Sequence, residues 1–188
     1  MVAGKETFQA ITSFHVPEEG EDYQLAMPKV PRPDEATALR DEGDPFEVIE
    51  LGPSQIRPDG TYESTRRAWV RLVEPIGDDP RRHVIAAGYA SDMTRAAFRP
   101  TSLGTWGHHV DASLDHSLWI HSLPVMDEWN LFDLHTVVTG AGRSFMRGSF
   151  WSDGGILRFS MAQEILIRPL ENPQIFSFDD VERRPESP

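Results

Sequence analysis

Cysteine is absent from this 188-residue chain. That excludes disulfides, thiolate metal sites and a cysteine nucleophile, and it is compatible with a cytoplasmic setting. Long apolar runs are missing too. No stretch approaches the ~20 residues that a membrane-spanning helix needs. The first ten residues carry Lys5, Glu6 and Gln9 where a signal peptide would need an apolar segment. Lysine is nearly absent, with only Lys5 and Lys29 among 18 basic residues. This skew toward arginine matches a GC-rich coding sequence and assigns no function. Positive charge is scarce overall. The formal net charge of −12 argues against a nucleic-acid partner, because phosphate contacts need basic surface.

Aromatic residues are plentiful. Five Trp and ten Phe within a 39% hydrophobic composition suffice for one sizeable core. Strand-like stretches fall at about 46–51, 64–73, 114–122, 129–138, 143–151 and 156–168. Within the second of these, Ala68, Val70 and Leu72 share one face and Trp69 takes the other. Arg81–Met93 reads as a helix whose inward stripe is Val84, Ile85, Gly88 and Tyr89. The intervals 1–17, 18–45, 46–170 and 171–188 read as a lone strand (Thr7–His15), a Pro-rich linker, the main domain and an acidic tail expected to fray. A short helix near Glu35–Arg40, a turn at Pro58-Asp-Gly60 and a loop over Thr94–Ser113 complete the outline. One long helix among antiparallel strands implies an α+β fold with the sheet wrapped on the helix.

Two polar residues interrupt apolar stripes. Phe159, Met161, Gln163, Ile165 and Ile167 alternate onto one strand face, so Gln163 needs hydrogen-bond partners there or costs roughly 1–3 kcal/mol. Asp92 continues the helical series Ile85, Tyr89, Asp92 at i, i+4, i+7. Taken singly, Asp92 reads as a carboxylate pairing with Arg95, Ser113 as a turn or cap residue, and Gln163 as an amide bonded to backbone. The group His108, His109, Asp111, Asp115, His116 and His121 lacks the spacing of a metal site, and His116 reads as a structural hydrogen-bonding residue. Trp119 and Trp129 read as core or sheet-packing aromatics.

Several segments coincide with one known pattern. Gly88-Tyr-Ala-Ser-Asp-Met93, Ala112-Ser-Leu-Asp-His-Ser-Leu-Trp-Ile-His121, Glu128-Trp-Asn-Leu-Phe132, Gly142-Arg143 and Ser160-Met-Ala-Gln-Glu164 resemble the second half of bacterial acyl-CoA thioesterase II, over about Phe46 to Arg168. The resemblance implies a hotdog fold, hydrolysis of acyl-CoA to a carboxylic acid and coenzyme A, and a catalytic set of Asp92, Ser113 and Gln163. Ser113 stands where the family has Thr or Ser. No cofactor or metal is implied. Against the family's two repeats, Thr7–Glu18 resembles the last strand of the first, so the sequence reads as starting inside that repeat. Two chains are therefore expected to pair as a homodimer or higher homo-oligomer. The alternative, a noncatalytic hotdog module that binds acyl groups or a partner chain, stays open at this point.

Overall fold

The computed structural model describes residues 9–36, 44–51, 65–93 and 109–169. The elements are β1 (Phe46–Glu50), β2 (Thr65–Leu72), α1 (Pro80–Met93), β3 (His109–Ile120), β4 (Asn130–Gly140), β5 (Arg143–Ser152) and β6 (Leu157–Pro169). A short 3-10 turn covers Pro33–Glu35. The strands form one antiparallel sheet in the order β1-β2-β4-β5-β6-β3. β2 and β3 are consecutive strands in sequence, yet three others separate them in the sheet, and α1 lies within the connection between them.

The helix starts where its local sequence directs. Asp79 accepts the Arg81 N–H at 3.0 Å, and Pro80, which has no N–H to leave unbonded, opens the first turn. The Arg81 guanidinium beside Asp79 holds its carboxyl below the usual carboxylate value. From there α1 packs on the sheet, with Ala87 and Ala90 in one cluster with Phe46, Val48, Val70, Phe132, Phe150 and Phe159. Phe150 and Phe159 stack at 4.2 Å, and Phe132 meets Phe150 edge-on at 4.2 Å. Such pairs add about 0.5–1.5 kcal/mol each beyond their buried area. This is the α+β arrangement of a sheet wrapped on one helix.

The helix nevertheless buries a different stripe from the expected one. Ile85 is 72% and Tyr89 45% exposed, whereas His83, Ala87, Ala90 and Ser91 are buried. Small side chains let the helix lie close against the sheet. His83 is accommodated because Nδ1 accepts the Met126 N–H at 3.1 Å and Nε2 lies 2.9 Å from the Gly77 carbonyl. The polarity of His83 and the bulk of Ile85 and Tyr89 mislead a reading by hydropathy alone.

The two faces of β2 separate as its alternation predicts. Ala68, Val70 and Leu72 join the helix-side core, while Trp69 packs on the outer face with Ile49, Leu131 and Trp151. Trp129 joins that outer cluster and carries the Arg71 guanidinium 4.4 Å over its ring. Trp119 does not pack as expected. It is 52% exposed on β3, an edge strand that among the described residues pairs on one side only, with β6.

The Pro-rich segment docks along the outer face. Met27 and Val30 pack on the outer cluster, and the Pro31 carbonyl accepts the Trp69 Nε1–H at 2.9 Å. Gln24 donates to the Gly155 carbonyl at 2.7 Å and accepts the Leu157 N–H at 3.0 Å, which ties this segment to the β5–β6 hairpin. Residues 9–16 carry no strand pairing, and Ile11 and Phe14 are almost fully exposed.

Strand limits match expectation within about two residues except for β3. It begins at His109, so Ser113 lies within a strand rather than in a loop. Of the expected Glu35–Arg40 helix, only the 3-10 turn ending at Glu35 and the bend at Ala36 are described. The Pro58-Asp-Gly60 turn, most of the Thr94–Ser113 loop and the tail from Glu171 lie outside the described residues. Among the described residues, no helix is long and apolar enough to cross a membrane.

Candidate active site

Gln163 lies in the middle of β6, between Met146 of β5 and His116 of β3 in register. Its neighbours on the same face, Phe159, Met161, Ile165 and Ile167, are all buried, and Gln163 itself is 2% exposed. A buried amide needs partners, and here it has two. Gln163 Nε2 donates to Asp92 Oδ1 at 2.6 Å and to Ser113 Oγ at 2.9 Å. A carboxylate only accepts, so the amide nitrogen rather than the oxygen must face Asp92. Both amide hydrogens are thereby used.

The three residues come from three elements. Asp92 sits in the last turn of α1, Ser113 on β3 and Gln163 on β6. Asp92 and Ser113 are exposed while Gln163 lies beneath them, so the cluster has a buried floor and an open upper side. Ser113 Oγ reaches Asp92 Oδ1 only at 3.4 Å, a long and weak contact. No cation among the described residues pairs with Asp92. The Asp92–Arg95 pair lies outside the described residues because Arg95 does.

A second polar contact runs beside the first. Ser91 Oγ lies 2.9 Å from His116 Nε2 and donates to the Gly88 carbonyl at 2.9 Å. His116 thus bonds to the helix, in keeping with the structural part read for it. Its Nδ1 is buried with no partner among the described residues. Ser91 escaped the sequence reading. Its signal lies in the true inward stripe of α1, where it follows Ala87 and Ala90 and immediately precedes Asp92. His121 stands apart, bonded to Ser160 Oγ at 2.8 Å. Among the described residues, no three His, Asp or Glu side chains are grouped to hold a metal.

The sequence profile of the acyl-CoA thioesterase C-terminal domain matches residues 17–167. The chain belongs to the acyl-CoA thioesterase family. Human acyl-coenzyme A thioesterase 8 is 31% identical over 175 residues, covering 78% of this chain and 54% of the human protein. The crystal structure of acyl-CoA thioesterase II TesB2 from Mycobacterium marinum is also 31% identical, with a TM-score of 0.70 over 82% of this chain and 60% of that one. A hot dog fold protein from Alicyclobacillus acidocaldarius shares the fold at 16% identity, with a TM-score of 0.62 over 82% of this chain and 59% of its own. This thioesterase-family chain has the hotdog fold and spans little more than half the length of the human relative.

The Asp92–Gln163 contact makes a pH-dependent prediction. Gln163→Glu sets a second carboxylate against Asp92, and like charges so close raise the pKa at which the pair gives up its last proton. A raised folded-state pKa means stability present at low pH and lost as pH rises through it. Chemical denaturation should therefore find Gln163→Glu near wild type at about pH 4, with a deficit that grows toward neutral pH. A deficit independent of pH would contradict the contact.

Proposed function

We propose that the chain hydrolyses acyl-CoA thioesters to a free carboxylic acid and coenzyme A, by a water that Asp92 deprotonates and Ser113 and Gln163 hold. The observation that carries this reading is the convergence of the three side chains through Gln163 Nε2. Family membership supports the reaction class.

The chemistry follows from the donors and acceptors present. Gln163 spends both amide hydrogens on Asp92 and Ser113, which fixes the carboxylate and the hydroxyl relative to each other. On the open side of the cluster, where Asp92 and Ser113 are exposed, one water can bond to both. Asp92 accepts a proton from that water as its oxygen attacks the thioester carbonyl carbon. A carbon–oxygen bond forms, the carbon–sulfur bond breaks, and the proton passes from Asp92 to the leaving sulfur. Water, thioester, acid and thiol balance without a covalent enzyme intermediate. Holding the water in line is positioning catalysis, which requires only that the cluster be rigid. Met146, Ile165 and Ile167 form a buried apolar cluster beside Gln163.

The same reading has two chains pair along β3. This twelve-residue strand ends the sheet, and among the described residues its outer side meets no strand. An unpaired edge of that length is a template for another strand. Leu114, Trp119 and Ile120 on it are exposed.

Thiol release from acyl-CoAs of short to long chain tests the activity. The wild type should turn over at least one of them, and Asp92→Asn should be slower by about 10²–10⁴-fold. Equal turnover by Asp92→Asn contradicts the reading, and saturable binding without thiol release favours a noncatalytic acyl-binding module. For the pairing, sedimentation velocity should find a dimer that the joint change Trp119→Lys, Ile120→Lys converts to monomer. A wild type that stays monomeric as its concentration is raised would sink it.

A further inference from the structure

The register of β3 against β6 slips once, and it slips beside the polar cluster. Ser113 stands opposite Ile165 and Asp115 opposite Glu164, so Leu114 has no counterpart on β6. An extra residue of this kind is a β-bulge, which bends the strand and re-aims its side chains. Residues directly opposite in an antiparallel pair share a face. Ser113 therefore takes the buried face of Ile165, and His116 takes that of Gln163. Three positions apart, they would stand on opposite faces of a regular strand. The bulge brings both to the side of α1, where Ser113 meets Asp92 and His116 meets Ser91.

Such an irregularity needs something to hold it. The Glu164 N–H donates to the Asp115 side chain, Oδ1, at 2.9 Å. That N–H belongs to the peptide group immediately following Gln163, so the bond pins β6 one residue from the amide that joins Asp92 to Ser113. The Glu164 side chain is held in turn by Arg143 of the neighbouring β5 at 3.0 Å. Asp115 and Glu164 use the face opposite to Gln163, which separates this contact from any substrate on the helix side.

We propose that Asp115 is a positioning residue for the Asp92–Ser113–Gln163 cluster. Its carboxylate closes the Leu114 bulge on the Glu164 N–H and so sets Ser113, opposite Ile165, within hydrogen-bond reach of Gln163. Without it the N–H loses its acceptor among the described residues and the bulge loses a bond that fixes the register of β3, and a shift of one residue turns side chains to the other face. A displacement of about 1 Å in such a cluster can cost on the order of 10²-fold in rate. The kinetic part rests on the thioester hydrolysis proposed above, whereas the hydrogen bond and its effect on Gln163 do not.

The test compares wild type, Asp115→Ala, Asp115→Asn, Gln163→Ala and the double variant Asp115→Ala, Gln163→Ala. Amide hydrogen exchange by NMR should be faster at Glu164 in Asp115→Ala than in wild type, with the Gln163 side-chain amide resonances shifted. Asp115→Asn, which keeps an acceptor oxygen, should restore both. In thiol release, Asp115→Ala should lower kcat by roughly 10–100-fold with KM little changed. Asp115→Asn should recover most of that loss, and Asp115→Ala should add nothing once Gln163 is already Ala. Should the alanine variant fail to fold, Asp115→Ser has a side chain too short to reach Glu164 and carries the same expectations. Unchanged exchange at Glu164 overturns the proposal whether or not the chain hydrolyses thioesters. Full kcat in Asp115→Ala beside a slow Gln163→Ala, or losses that multiply in the double variant, also overturn it. A wild type that releases no thiol counts against the proposed activity instead, and the exchange data then decide the positioning claim.

Discussion

A buried amide nitrogen with two hydrogens holds the functional end of this molecule together. Gln163 is sealed into an apolar strand face, where its N–H groups cannot turn to water. Leaving either unbonded in such a place costs about 1–3 kcal/mol. Asp92 and Ser113 satisfy both, at 2.6 and 2.9 Å. The penalty for losing either partner thus helps lock the end of the helix to β3 and β6. Positioning and local stability share one interaction.

The scaffold around this contact explains how it is kept in place. Small residues on α1 let the helix lie close on the sheet, and His83 and Ser91 add polar bonds at either end of that contact. Phe132, Phe150 and Phe159 fill the centre. On the opposite face, Trp69, Trp151 and Leu131 are covered by Met27 and Val30 of the extended segment. The sheet is therefore packed on both faces along much of its length, while β3, which carries Ser113, remains an edge.

Much of this was legible from residue pattern. Gln163 stood out because a single amide interrupted a period-two apolar series. The separation of Trp69 from Ala68, Val70 and Leu72 followed from the same alternation. The inward face of α1 was not legible, because the residues that fit beneath it are small or polar, while Ile85 faces outward and Tyr89, stacked on Phe46, stays half-exposed. Nor was the bulge at Leu114, since a strict alternation separates Ser113 from His116 and offers no mark for the added residue. The docking of the Pro-rich segment was likewise hidden. An extended chain bonded through Gln24, Pro31 and Arg32 needs no periodicity of its own.

In the proposed reaction Asp92 activates water rather than attacking the thioester itself. A single turnover of excess enzyme on an acyl-CoA in ¹⁸O-water tests direct attack against an anhydride that water opens at the Asp92 carboxyl carbon. Direct attack by water places one ¹⁸O in the released carboxylic acid at the first turnover and none in the Asp92 peptide. Label in Asp92, with unlabelled acid at the first turnover, would mean an acyl-enzyme anhydride and would contradict water activation by Asp92.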